Sequence, residues 1–179
     1  MPTAPTPAVR RLVAFLASAT TRGDDPLRDV RLARDWCRAQ GLDPGRRPFT
    51  PADLSHLRTL RAALRASLDD PTGGAARRIG GPARRARLGV VLGADGPVVA
   101  SAGTGADAVI GRLLLDAVEA ATIGAWARIR TCAAAGCPAV FIDTSRSGTR
   151  TWCDMATCGN RAKVRAHRVR TRAPVGAVR

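Results

Sequence analysis

The sequence has no tyrosine, three tryptophans, three phenylalanines and two histidines, and only one lysine, Lys163, among its 29 basic residues. Each shortage excludes something. So few aromatics disfavour a single-strand binder that stacks successive bases on rings. His56 and His167 fall in distant segments, and no Ser/His/acid or paired-carboxylate arrangement is recognisable. Hydrolytic or transfer chemistry therefore lacks its machinery, and the chain is expected not to be an enzyme. No apolar run approaches the ~20 residues of a membrane span, and no basic-then-apolar leader opens the chain, so a cytoplasmic protein without a membrane partner is expected. Acids are scarce too: 14 against 29 Lys and Arg leave a net charge of +15. That balance points to a polyanionic partner, most often nucleic acid. A GC-rich genome would explain arginine in place of lysine, but not the excess over acids.

Cysteine is where the sequence is most specific. Four of the five cysteines form two CxxxxC pairs, Cys132 with Cys137 and Cys153 with Cys158, separated by fifteen residues. No CxxC redox motif is present. Two disulfides would need an oxidising compartment, which a basic cytosolic chain does not occupy. Four thiolates at this spacing suit a closed tetrahedral site for one structural zinc ion, with no position left open for water. The metal would supply stability that so short a segment cannot draw from an apolar core of its own. Cys37 lies instead in an apolar helical stripe and is expected in the core.

The length fits one compact domain plus a small module. The expected fold class is α+β: a mostly helical amino-terminal domain with one β-hairpin over 8–129, then a small carboxy-terminal four-cysteine zinc module over 130–172. Residues 1–7 and 173–179 read as disordered ends. Val9, Leu12, Val13 and Leu16 recur at helical spacing, giving a helix from about Ala8 to Thr20. Asp25 followed by Pro26 starts a second helix, which Gly41 stops. Thr50, Pro51 and Asp53 resemble a capping box ahead of a third helix to Asp69, which carries His56 at its surface or cap. The Gly-, Pro- and Arg-rich stretch from Asp70 to Ala86 reads as a solvated basic loop. Leu88 to Leu92 and Pro97 to Ser101 flank Ala94-Asp95-Gly96 as a hairpin. A long helix from about Thr104 towards Ile129 then delivers the chain into Cys132. GTGADA at Gly103 to Ala108 mimics a dinucleotide-binding turn. It lacks the second strand and acid of that fingerprint and reads as a hairpin-to-helix turn.

Between Arg128 and Arg172 ten basic residues face only Asp143 and Asp154, a side-chain balance of +8. Zinc with four thiolates lowers it to about +6. After Cys158 a helix can start near Asn160, with Arg161, Arg165, Arg168 and Arg172 sharing one face. Asn160 is expected to cap it. Asp143 is expected to hold the hairpin together through Arg146 or backbone amides. Trp152 and Phe141 should cover the metal site. His167 could substitute as a ligand, but four cysteines already fill the site.

The same stretch reads DTSR at Asp143 to Arg146, WCDM at Trp152 to Met155 and CGNR at Cys158 to Arg161, continuing as AKVRAHR. Over roughly 128–170 it resembles the CGNR zinc finger, which in that family follows an amino-terminal ABATE domain. Members are described as stress-induced transcription regulators. The resemblance implies a sequence-specific transcription regulator whose partner is double-stranded DNA. Cys132, Cys137, Cys153 and Cys158 would hold zinc, while Arg146, Arg150, Arg161, Lys163, Arg165, Arg168 and Arg170 would contact DNA. A small-molecule effector of the amino-terminal domain is expected by analogy alone. A homodimer would suit two-fold DNA sites, although the sequence shows no heptad or dimer stripe. Two alternatives remain: an RNA-binding or ribosome-associated zinc protein, and a zinc-stabilised protein-interaction module.

Overall fold

Thr6 opens the first helix, α1 (Pro7–Ala17), by accepting the Val9 amide on its hydroxyl, with Pro7 in the first turn. The computed structural model describes residues 4–19, 25–70 and 72–172, without the side chains at 75, 76, 169, 170 and 172. Thr6 and Pro7 thus belong to the fold rather than to a disordered leader, and Thr6 Oγ1 also donates to Glu119 Oε1 at 2.8 Å. Residues 1–3 and 173–179 lie outside the described residues.

Val9, Leu12, Phe15 and Leu16 form the buried stripe of α1. The helix expected from Asp25 comes in two pieces. Asp25 caps a 3-10 turn at Pro26–Arg28, and Asp29 then caps α2 (Val30–Ala39) through the Arg31 and Leu32 amides. Two aspartates four residues apart each offer the backbone an alternative to continuous helix. Cys37 is buried in the core, as its stripe predicted. The capping box is present at Thr50 and Asp53, opening α3 (Pro51–Leu68). Leu54, Leu57, Leu60 and Leu64 carry α3 through the centre of the core.

Composition misled over 70–86. Instead of a solvated loop there are a 3-10 turn (Ala75–Ile79) and a short helix, α4 (Gly80–Ala86), packed against α5 (Ala106–Thr122). Pro82 and Ala86 are buried there while Arg84 stays in solvent. Small side chains let α4 lie close to its neighbour. Arg87, with φ +47°, ends it and turns the chain into the hairpin β1 (Leu88–Gly93) and β2 (Gly96–Ser101). The hairpin is the expected one, and among the described residues its sheet has only these two antiparallel strands. Gly105, with φ +59°, makes the hairpin-to-helix turn into α5.

The helix expected to reach Ile129 ends at Thr122. Gly124 takes φ +73°, the left-handed conformation that closes helices, although Ile123 and Trp126 keep helical spacing across it. A 3-10 turn (Trp126–Arg128) then leads into β3 (Ile129–Thr131), which pairs antiparallel with β4 (Val140–Ile142). Ile129 and Val140 are buried in the same core as α1, α3 and α5. Arg65 of α3 donates to the Leu16 and Pro138 carbonyls, and Thr131 Oγ1 donates to Asp69 at 3.0 Å. The cysteine-bearing part is seated directly on the helices, and the whole is α+β as expected. No helix among the described residues is long and apolar enough to cross a membrane.

One buried charge cluster ties α1 to α5. Asp116 accepts from Arg11 Nε and Nη2 at 2.7 and 2.6 Å, and from Arg112 Nε at 3.0 Å. Asp116→Ala would leave the nearly buried Arg11 guanidinium unpaired and should lower stability by about 3–5 kcal/mol in urea melts.

Candidate metal centre and basic helix

Cys132 and Cys137 bracket the turn between β3 and β4. The Cys132 amide donates to Ala139 O, the Cys137 amide donates to Ala134 O, and Gly136, with φ +75°, allows the tight return. The second pair comes from the loop after β4. Asp143, buried at its base, accepts the Ser145 amide, the Ser145 hydroxyl and the Arg150 amide at 2.9, 2.5 and 2.8 Å. Burial raises the Asp143 carboxyl, but these donors and the Arg130 guanidinium hold it below the usual range. Of the two expected ties the structure shows the backbone amides, and Arg146 is left in solvent.

Arg150 braces the same loop. Its Nε donates to the Trp152 carbonyl at 2.9 Å and its Nη2 to the Cys153 carbonyl. Its guanidinium lies 5.0 Å over the Phe141 ring. Phe141 and Trp152 pack against the cysteines, as their positions suggested. Cys158 sits in a π-turn (Met155–Gly159) that runs into α6 (Asn160–Arg172). The cap is Asp154, whose carboxylate accepts the Thr157 amide at 2.7 Å and hydroxyl at 2.8 Å. Asn160, the expected cap, already has helical backbone. The D-x-x-T spacing of Asp154 and Thr157 is the sequence signal that would have located it.

The four sulfurs all lie within 4.8 Å of one another. Three separations are resolved: Cys137 to Cys153 at 3.8 Å, Cys153 to Cys158 at 3.6 Å and Cys158 to Cys137 at 3.7 Å. A tetrahedron with Zn–S bonds of about 2.3 Å has edges of about 3.8 Å, whereas a disulfide would bring two sulfurs to about 2.05 Å. The cluster fits one zinc ion with all positions filled by sulfur. The Cys153 amide also approaches Cys132 Sγ at 3.4 Å, and Arg161 Nη2 approaches Cys158 Sγ at 3.6 Å. Such donors offset the negative charge of a four-thiolate zinc site. Burial pushes the Cys132 thiol up, but the Cys153 and Ala134 amides and the neighbouring thiols outweigh it and bring it down to about 7. Burial and the neighbouring sulfurs push Cys153 up to about 12. Metal is thus needed to drive off the remaining protons.

Two family models match: the CGNR zinc finger over residues 128–171, and over residues 9–135 ABATE, described as "Putative stress-induced transcription regulator". The chain belongs to the ABATE family. It carries a CGNR zinc finger at its carboxy-terminal end. No curated protein matches the chain.

The geometry accounts for three of the four letters of the finger's motif. Cys158 supplies the fourth sulfur, and Arg161 reaches back to it. A Cβ on Gly159 would lie 2.4 Å from Met155 Sδ and 3.3 Å from the Trp152 ring, so a side chain there needs the exposed end of Met155 to move aside. Beyond the motif α6 leaves the body of the protein. Arg161, Lys163, Arg165 and Arg168 are exposed on it, while the Arg170 side chain lies outside the described residues. A groove of about 470 Å³ runs beside the helix, lined by Ala133, Ala134, Ala135, Ala162, Ala166 and the stems of Arg161 and Arg165. His167 is exposed and away from the sulfurs.

Two outcomes follow for the zinc finger. Gly159→Ala should cost about 1 kcal/mol and speed zinc release to a chromogenic chelator, with Met155→Ala restoring part of the loss. Zinc affinity should also weaken as pH falls, because the metal must displace protons from the raised thiols such as Cys153, and more steeply below about 7, where the metal-free Cys132 thiol is protonated too. Zinc-release titrations between pH 8 and 5.5 read this directly.

Proposed function

We propose that this ABATE-family protein is a DNA-binding transcription regulator that reads double-stranded DNA through α6 of its zinc finger. The observation that carries the reading is the placement of charge. Lys163, Arg165 and Arg168 stand in solvent on a helix held at its first turn by the sulfur cluster, and no ion pair among the described residues engages them. Thirteen residues of helix extend ~20 Å, and a major groove about 12 Å wide admits such an element. Arg165 and Arg168 share a face and suit phosphates or guanine edges, with Arg161 at its base and Arg146 contributing from the preceding loop. Arg150 is held in bracing the loop, so its contribution to DNA is through charge alone. No catalytic step belongs to this reading, since four sulfurs leave zinc no open position. The protein would act in the cytoplasm.

An effector site fits a second cleft. A cavity of about 440 Å³ lies where α1, the end of α5 and the loop after β4 meet, lined by Val9, Ile123, Arg128, Ile142 and Asp143 among others. A ligand there would touch the helical domain and the Asp143 loop of the finger together. A thermal-shift screen with a metabolite library tests it, and a melting temperature that never moves counts against it.

The main test is retention of fragmented genomic DNA by the zinc-loaded protein, titrated with salt and challenged with RNA. A few discrete fragments should survive at physiological salt. Arg165→Ala and Arg168→Ala should each weaken binding by roughly tenfold and lower the salt slope by about one. Chelation should abolish retention. Loss of all fragments together would mean sequence-independent attraction, and preferential loss to RNA would favour the RNA-binding alternative.

A further inference from the structure

The β1–β2 hairpin takes no part in the zinc finger, yet it carries the most exposed apolar surface among the described residues. Val90 is 70% exposed, Leu92 87%, Val99 52%, and Val91 and Val98 50% each. Val90, Leu92 and Val99 share one face, a patch on the order of 350 Å², and Val91 and Val98 lie on the other. From Leu88 to Ser101 the only charge is Asp95, so this surface does not face a polyanion. The hairpin is firmly seated at its base. Ser101 Oγ donates to the Ala86 carbonyl at 2.7 Å, and the Gly103 amide donates to Ser101 Oγ at 3.1 Å. Gly111 makes room for this, since a Cβ there would lie 2.3 Å from that oxygen. A two-stranded sheet standing alone in water is marginal, and further strands would stabilise it.

Its two edges differ. The Ala102 amide donates to the Arg87 carbonyl at 3.2 Å, so this pair turns its polar groups inwards. Alternation along an antiparallel ladder makes Gly89 with Ala100, Val91 with Val98 and Gly93 with Gly96 inward pairs too. Leu88, Val90 and Leu92 therefore turn their amides and carbonyls outwards along β1, and Pro97, Val99 and Ser101 do so along β2. Pro97 has no N–H and blocks the β2 edge. The β1 edge has no proline, charge or bulge of the kind that guards exposed edges.

We propose that β1 pairs antiparallel with β1 of a second copy of this chain, about a two-fold axis at Val90. The outward residues are self-complementary about that centre. Val90 faces its own counterpart and Leu92 faces Leu88 of the partner subunit, each pair exchanging both amide–carbonyl bonds. Val90, Leu92 and Val99 of both copies then share one face of a four-stranded sheet. The strands bearing Pro97 become its outer edges, so association closes at a dimer rather than growing into a fibre. A second copy fits this edge because the apolar, uncharged β1 strands of two otherwise basic chains can meet without like-charge contact, and Pro97 leaves each copy one edge to offer. The inference does not rest on DNA binding.

Light scattering on the zinc-loaded full chain should give twice its 18.7 kDa. Val90→Pro removes an N–H that β2 does not use, so it should return the mass to a single chain while the helical circular dichroism persists. Under mild oxidation Val90→Cys should cross-link, because paired Cα atoms about 5.5 Å apart lie within disulfide reach. Leu92→Cys should not, since its two copies would sit on the order of 14 Å apart at ~3.4 Å per residue. The unsubstituted protein serves as the blank for the native thiols. A single-chain mass at every concentration overturns the proposal and leaves the edge to a strand from another protein. A dimer that survives Val90→Pro, or equal cross-linking at both positions, overturns it as well.

Discussion

Four sulfurs brought within 4.8 Å of one another are tolerable only if something disperses their charge. Zinc does so at the centre, and the Cys153 amide and Arg161 guanidinium do so at the rim. The direction of α6 follows from this. The helix is exposed along most of its described length, and its start is fixed because Cys158, a ligand, sits in the π-turn that runs into it. Without the metal the neighbouring thiols would separate, and α6 would keep its charge but lose its aim. The positive end of a helix dipole also lies at the cluster, as an anionic metal site favours.

The cluster is in turn fastened to the helical domain. Ile129 and Val140 lie in the common core, and Arg65 reaches from α3 to both α1 and the strand-turn carrying the first two cysteines. The two family models overlap over residues 128–135, the stretch that is at once core strand and first metal ligand. Asp143 extends the same frame into the second half of the finger. Its acceptors gather Ser145 and Arg150, and Arg150 then holds the Trp152 and Cys153 carbonyls ahead of the third sulfur.

What was legible in the sequence was what local chemistry decides. Thiol spacing, the Thr50 and Asp53 capping box and the Asp-Gly hairpin each depend on residues only a few positions apart. What was hidden depended on competition or on distant packing. Helical spacing continued through Ile123 and Trp126, so the break at Gly124 looked like an ordinary interior residue. Glycine and arginine made 70–86 look like loop, but its small residues are what allow α4 to lie on α5. At the start of α6 Asp154 and Asn160 were both plausible caps. The cysteine between them settles it, because ligation draws the turn before Asn160 into the helix.

The finger's excess charge is by itself indiscriminate, attracting any polyanion through released counterions. Discrimination between nucleic-acid sequences needs side chains delivered to base edges in a fixed orientation. Fixed orientation is what the seating of β3 and β4 on the helical core provides, and an independent finger on a flexible linker would not provide it. The ABATE domain therefore has a mechanical relation to α6. A ligand in the cleft beside Val9 and Asp143 would press on the loop that positions Cys153, and so on the base of the helix. Coupling of that kind needs no long pathway, because one carboxylate, Asp143, lines the cleft and organises the finger at the same time.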